Sequence, residues 1–203
     1  MKFEKVLVLG AHPDDESGCS GTVAKLFDAG AEVHLLTFSK CLDFYDEDLI
    51  VGEWKRANDL LGIPSDRRHI VEVPNRYFPA YRQEVLNELD FYRYGFDLVL
   101  CPAFSDIHQD HHVVAEEAAR VFKHTTVLGY EHAMNSVRST QWQCFVSLNE
   151  RQVSMKLAHA SMYESQWERP YMAEEYLRGL LTVHGVQAGV EAAEAFEVIR
   201  WVM

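Results

Sequence analysis

Short apolar runs alternate with helix-length amphipathic segments along the first 130 residues, and that alternation limits the chain to few architectures. The run Val6-Leu7-Val8-Leu9 reads as a buried strand, and residues 18–29 read as a helix stopped by Gly30. Residues 32–38 form the next strand, 40–47 a polar and aromatic loop, and 48–61 a helix ended by Gly62-Ile63-Pro64. A short strand at 69–73, a helix at 81–92, a strand at 97–101, a helix at 110–123 and a strand at 125–130 continue the pattern. Strands that alternate with helices pair in parallel, because each crossover lays a helix on the sheet. The expected fold class is α/β: Rossmann-like, with a mostly parallel sheet and helices on both faces. The last third (about 140–203) has a strand at 143–148, a helix capped by Asn149 and running to 163, a helix at 171–182 and a closing strand at 195–202. It is expected to complete a single domain, 1–203, and to wall its cleft.

The chain is acidic, with a formal net charge of −12 and no basic run. That argues against nucleic acid or an anionic membrane surface as a partner, but not against a small anionic molecule, which needs only a local Arg or Lys. No apolar run approaches the ~20 residues that cross a bilayer. Residues 6–9 are too short for the apolar region of a signal peptide. Cys19, Cys41, Cys101 and Cys144 are scattered without a C-x-x-C pair. Such a pattern fits reduced thiols in the cytoplasm rather than a disulfide frame.

Chemistry concentrates after two of the apolar runs. Gly10-Ala11-His12-Pro13-Asp14-Asp15-Glu16 follows the first strand, and Ser105-Asp106-Ile107-His108-Gln109-Asp110-His111-His112 follows the strand at 97–101. In a parallel sheet both strands end on one side, where α/β folds bind ligands. A catalytic zinc site takes three protein ligands and keeps one position open. His12 and Asp15 are spaced to supply two, and His111 or His108 the third. Asp14 is free to act as a base toward a metal-activated water, and the remaining His can stabilise an oxyanion or protonate a leaving group. Asp110 is placed to orient an imidazole. Each cluster alone has a plainer reading: Asp14 as a helix cap with Pro13 shaping the turn, and His-x-Asp-His as a polar helix start. Two such clusters, each at a strand end, favour a metal-dependent hydrolytic site. Gly10, Gly18 and Gly21 do not form a G-x-G-x-x-G dinucleotide fingerprint.

These residues resemble the LmbE-like (PIG-L) deacetylase family, through Ala11-His12-Pro13-Asp14-Asp15-Glu16 paired with His108-Gln109-Asp110-His111. Supporting matches are Gly21-Thr22, Glu53-x3-Ala57-x3-Leu61-Gly62, Tyr163-Glu164-Ser165-Gln166 and Ala193-Glu194-Ala195-Phe196. The resemblance implies a Rossmann-like fold and zinc-dependent N-deacetylation of N-acetylglucosamine-type sugars and their conjugates. It implies His12, Asp15 and His111 as zinc ligands and Asp14 as general base. His108 takes the electrophilic or acid role, with Asp110 as carboxylate partner of His108 or of the metal-binding His. A His/His/carboxylate set also accepts Fe2+. The resemblance further implies a small-molecule N-acyl amino-sugar substrate and frequent assembly into homo-oligomers.

The chain departs from the family where substrate is expected to bind. Ile50 stands where an Arg is common, Thr37-Phe38-Ser39-Lys40-Cys41 lacks the usual Gly, and His184-Gly185 replaces Arg-Gly. Lys40, Arg56, Arg76, Tyr130 and His132 are therefore candidate substrate contacts. Removal of acetyl from an N-acetylated amino sugar is the leading expectation. Its alternatives are an amidase on another acyl-amine conjugate and a metal-containing binding module without catalysis, which would have no need of Asp14.

Overall fold

The computed structural model describes residues 2–137 and 141–202; the start of the last third, near residue 140, falls partly outside them. The first strand, β1 (Lys5–Gly10), leads through a short 3-10 turn (Asp15–Cys19) into α1 (Ser20–Asp28). Then follow β2 (Glu32–Thr37), α2 (Glu47–Leu61), β3 (Arg68–Ile70), α3 (Arg82–Asp90), β4 (Leu98–Pro102), α4 (Gln109–Val121) and β5 (Thr126–Tyr130). The last third contributes β6 (Cys144–Ser147), α5 (Glu150–Ser161), α6 (Glu174–Ala188) and β7 (Ala193–Arg200).

The strands form one seven-stranded sheet in the order β3-β2-β1-β4-β5-β7-β6. The first five are parallel, and β7 runs antiparallel to both of its neighbours. Successive side chains on a strand point to opposite faces. Val6 and Val8 accordingly pack with Val23, Trp54 and Ala160 beneath α1, α2 and α5, whereas Leu7 and Leu9 pack with Val85, Leu89 and Val114 beneath α3 and α4. Burial on both sides explains the uninterrupted apolar run in β1.

Strand order reverses between β1 and β4. From β1 the chain moves outward to β2 and β3, then returns to lay β4 on the other side of β1. Register aligns Gly10 with Thr37, Val8 with Leu100, and Pro102 with Tyr130. The C-terminal ends of β1, β4 and β5 thus open onto one crevice, the usual place for a ligand in such sheets.

Two elements differ from the sequence expectation. The helix expected at 171–182 begins at Glu174 and continues to Ala188, ending on Gly189 at φ 72°. It passes through Gly185, where a Cβ would lie 2.6 Å from the Glu191 carbonyl oxygen, so the glycine that looks like a breaker admits the returning chain. The closing strand expected at 195–202 runs from Ala193 to Arg200 and lies between β5 and β6.

Candidate metal centre

The turn after β1 folds back on its own backbone. Asp15 Oδ2 accepts from the amides of Ala11 (2.7 Å) and His12 (2.8 Å), which aims Oδ1 into the crevice. Asp14 occupies the cap position of the following 3-10 turn but makes no capping hydrogen bond. The plainer reading of that residue is therefore not realised, and its carboxylate lines the cleft. At Gly18 a Cβ would lie 2.7 Å from the Tyr130 ring, so only glycine lets the turn lie against β5.

From the other cluster, His111 lies in the first turn of α4. His12 Nδ1 and His111 Nε2 lie 3.2 Å apart, His111 Nε2 and Asp15 Oδ1 3.3 Å, and His12 Nδ1 and Asp15 Oδ2 3.7 Å. Donors bound tetrahedrally at about 2.0–2.2 Å sit roughly 3.3–3.6 Å from one another. The His12–His111 and His111–Asp15 Oδ1 separations lie close to that spacing, whereas the 3.7 Å contact of His12 is to the other Asp15 oxygen. Among the described residues, two trios bring one donor atom per residue within 4.8 Å of one another: His12 with His108 and His111, and Asp15 with His111 and His132. His132 Nε2 is buried without a hydrogen-bond partner, 3.5 Å from Asp15 Oδ1.

Two carboxylates hold the imidazoles from behind. Asp106 Oδ2 lies 2.7 Å from His111 Nδ1, and Asp110 Oδ2 lies 3.1 Å from His12 Nε2. Such partners set the tautomer and orientation of a ligating histidine. Asp110 also accepts from the amides of Arg76 (2.7 Å) and Phe78 (3.3 Å). Arg76 is thereby held at φ 68°, a left-handed conformation costing a non-glycine residue on the order of 1 kcal/mol. His108 caps α4: its Nδ1 accepts the Asp110 amide at 3.2 Å, which leaves the proton on Nε2. The side chain of Asp110 thus serves His12, not His108.

Charge follows burial and neighbours. Burial lowers the pKa of His12, but Asp15 and Asp110 outweigh it and raise the value to about 9. Burial likewise opposes His111, which Asp15 and Asp106 raise to about 10. Burial pushes the Asp15 carboxyl up, yet His111 and His12 hold it well below the usual range. For Asp14 burial and the charge of Asp15 outweigh His12 and raise it to about 6. His108 is lowered to about 4 by burial and by the charges of His111 and His12, and His132 to about 4 chiefly by burial.

The cleft has a volume of about 250 Å³, and Arg76 and His132 line it together with the metal-centre residues. Lys40 instead pairs with Glu47 (2.7 Å) and Glu72 (3.6 Å), Arg56 faces solvent, and the buried Tyr130 hydroxyl donates to the Leu9 carbonyl (2.6 Å). None of these three lines the cleft. Sequence reasoning gave no role to Asp106, although it stands in the second cluster. It also missed Phe44, Tyr45 and Arg169 on the rim, which carry no local pattern.

The supporting motifs are scaffolding. The buried Glu53 carboxylate accepts from the amide (2.9 Å) and hydroxyl (2.6 Å) of Ser165. Glu16 accepts from Asn58 (3.0 Å) and the Tyr163 hydroxyl. Glu194 caps α1 at Gly21 (3.0 Å) and Thr22 (2.6 Å) and pairs with Lys156 (2.7 Å). The last third is thus tied to the segment that carries the site.

The family model described as PIG-L, GlcNAc-PI de-N-acetylase, matches residues 7–122, more than half of the chain. No curated protein matches the chain in sequence. Among solved structures, the conserved protein TT1542 from Thermus thermophilus is similar at a TM-score of 0.79 and 21% identity, covering 99% of this chain and 96% of that one. The N,N'-diacetylchitobiose deacetylase from Pyrococcus horikoshii is similar at 0.69 and 21%, covering 97% and 84%. The 4-carboxy-2-hydroxymuconate hydratase GalB from Pseudomonas putida KT2440 is similar at 0.72 and 17%, covering 98% of each chain. At these identities the likeness is one of fold, and the fold carries more than one reaction.

Proposed function

The chain belongs to the PIG-L (LmbE-like) family, and from that premise we propose that it is a metal-dependent hydrolase that removes acetyl from an N-acetylated amino sugar or its conjugate. The observation that carries this reading is the uncapped carboxylate of Asp14 beside the three-donor group of His12, Asp15 and His111. A structural metal site needs no such free base.

His12 Nδ1, the Asp15 carboxylate and His111 Nε2 would hold a zinc or iron(II) ion, which when bound would supply Lewis acidity. Asp14 accepts the proton of the attacking water. Without metal, burial and the charge of Asp15 raise the Asp14 pKa to about 6, in the direction that makes a carboxylate a better base. As the C–N bond breaks, Asp14 returns that proton to the departing amine nitrogen, and acetate and free amine result. His108 presents Nε2–H, because its Nδ1 is occupied by the Asp110 amide, and it donates to the carbonyl oxygen as negative charge develops there. Asp106 and Asp110 keep His111 and His12 in place. His132 and Arg76 are the substrate contacts retained from the sequence. The reading of 1–203 as one domain is supported by β6 and β7 joining the same sheet as β1–β5. Four free thiols support a cytoplasmic setting.

The test is metal analysis of the purified protein, joined to a free-amine assay on N-acetylglucosamine and its glycosides. One zinc or iron per chain with metal-dependent amine release is the expected result. Bound metal with no amine released from these or from a wider acyl-amine panel would overturn the reading. The hydratase neighbour sets the competing assay, loss of a conjugated carbon–carbon double bond.

A further inference from the structure

Charges in the cleft are unevenly matched. Lys156 is paired with Glu194 at 2.7 Å, and Glu131 with His184 at 2.6 Å. Asp15 faces the imidazoles of the metal centre. Of the other charged side chains lining the cleft, Asp14, Arg76 and Arg169 remain. Neither arginine has an acidic partner among the described residues, although the protein carries a net charge of −12. Most other arginines lie against carboxylates, as Arg68 does on Asp59 (2.6 Å) and Arg82 on Glu116 (2.7 Å); the exceptions among the described residues, Arg56 and Arg200, do not line the cleft.

Both guanidinium groups rest on aromatic supports instead. Arg76 lies 4.4 Å over the Phe44 ring. Arg169 donates to the Tyr45 hydroxyl at 3.1 Å and lies 5.9 Å from the centre of the Tyr171 ring. An aromatic face steadies a guanidinium while leaving its in-plane N–H donors free for a carboxylate or phosphate. The backbone of Arg76 is also fixed by Asp110, which holds His12, so the strained residue is built onto the metal centre. The two guanidiniums put a local positive charge on the cleft of an otherwise acidic protein, a field that attracts a small anion.

We propose that Arg76 and Arg169 recognise an anionic group, a carboxylate or a phosphoryl, carried by the substrate beyond its N-acyl sugar. The substrate class is then an anionic acyl-amine conjugate rather than a neutral glycoside. This inference rests on the deacetylase reading for its reaction, but its binding part can be tested separately.

The zinc-loaded protein is assayed on three compounds: the methyl glycoside of N-acetylglucosamine, its 2-carboxyethyl glycoside and N-acetylglucosamine 1-phosphate. At least one anionic compound is expected to exceed the methyl glycoside in kcat/KM by roughly tenfold or more, the size expected of one charge-assisted hydrogen bond. Which of the two leads tells carboxylate from phosphoryl. In the double variant R76Q/R169Q the ratio of anionic to methyl glycoside is expected to fall toward one. A wild-type ratio near one, or a preference that survives the double variant, overturns the proposal. Affinities of the same compounds for zinc-loaded D14N protein, with and without the two arginine substitutions, give a readout independent of turnover. Tighter anion binding that needs the arginines, with no amine released by the wild type, keeps the proposal and sinks the deacetylase reading. Equal affinities, or no binding of any compound, overturn the proposal itself.

Discussion

His12 Nδ1 and His111 Nε2 meet at 3.2 Å across the gap between β1 and β4, although 99 residues separate them. The contact exists because both follow parallel strands that lie side by side where the strand order reverses. Asp15 completes the group from the same turn as His12, while the adjacent Asp14 keeps its carboxylate uncapped in the cleft.

Asp14→Asn therefore separates metal binding from turnover. The variant is expected to keep one metal per chain, since its side chain is not in the donor group, and to lose roughly 10²–10⁴-fold in kcat, the span of general-base catalysis. Metal analysis beside a free-amine assay checks both halves. Full turnover in D14N would remove Asp14 from the base role.

Asp106 and Asp110 act through the imidazoles they hold. Asp106→Ala frees His111 Nδ1, and Asp110→Ala frees His12 Nε2. Each is expected to weaken zinc affinity about 10–100-fold. Competition against a chelator of known affinity measures it. Asp110→Ala also removes the acceptor for the Arg76 amide, so its loss of activity is expected to exceed what added zinc restores. Complete rescue by zinc would show that the Arg76 loop does not depend on Asp110.

Much of this arrangement is legible in the sequence. Apolar runs before His12 and before Asp106 announce buried parallel strands, and strand ends in such a sheet share one side, so the two clusters converge. The partners of the histidines are not legible. Asp106 and Asp110 are equally close in sequence to His108, and only the rotation of the first turn of α4 sends Asp106 to His111 and Asp110 across to His12. The rim is illegible for another reason: Arg169 and Tyr171 reach it from beyond α5, and no local spacing links them to Tyr45. The path of α6 through Gly185 depends on the returning backbone at Glu191, a contact made by tertiary structure alone.

Metal binding is expected to be strongly pH-dependent. In the metal-free protein His12 and His111, raised to about 9 and about 10, hold protons at neutral pH, whereas a metal takes only the neutral imidazole. Their nitrogens are 3.2 Å apart, so charge repulsion keeps the number of protons released between one and two. Affinity should then rise by roughly one to two log units per pH unit between about pH 6 and 8, flattening as pH passes about 9. Zinc titrations in buffers of different ionisation heat count the protons. A flat affinity profile from pH 6 to 8 would contradict the charge assignment of the pair.

Lys156 tests whether the last third holds the site segment in place. Its side chain is buried, 3% exposed, and its ammonium reaches Glu194 at 2.7 Å, the Gly18 carbonyl at 3.2 Å and the Ser17 carbonyl. Lys156→Met keeps the volume but strands the Glu194 carboxylate, also 3% exposed, without its cation. Breaking one side of a buried pair costs about 3–5 kcal/mol. The variant is expected to lose that much unfolding free energy in urea titrations, with Glu194 still bound to the amides of Gly21 and Thr22. K156M/E194Q, which removes the stranded charge and keeps an oxygen acceptor for α1, should recover part of the loss. If K156M costs less than about 1 kcal/mol, the range of an exposed pair, then water reaches Glu194, and the tie between α5, β7 and the turn carrying Asp14 and Asp15 is looser than its burial implies.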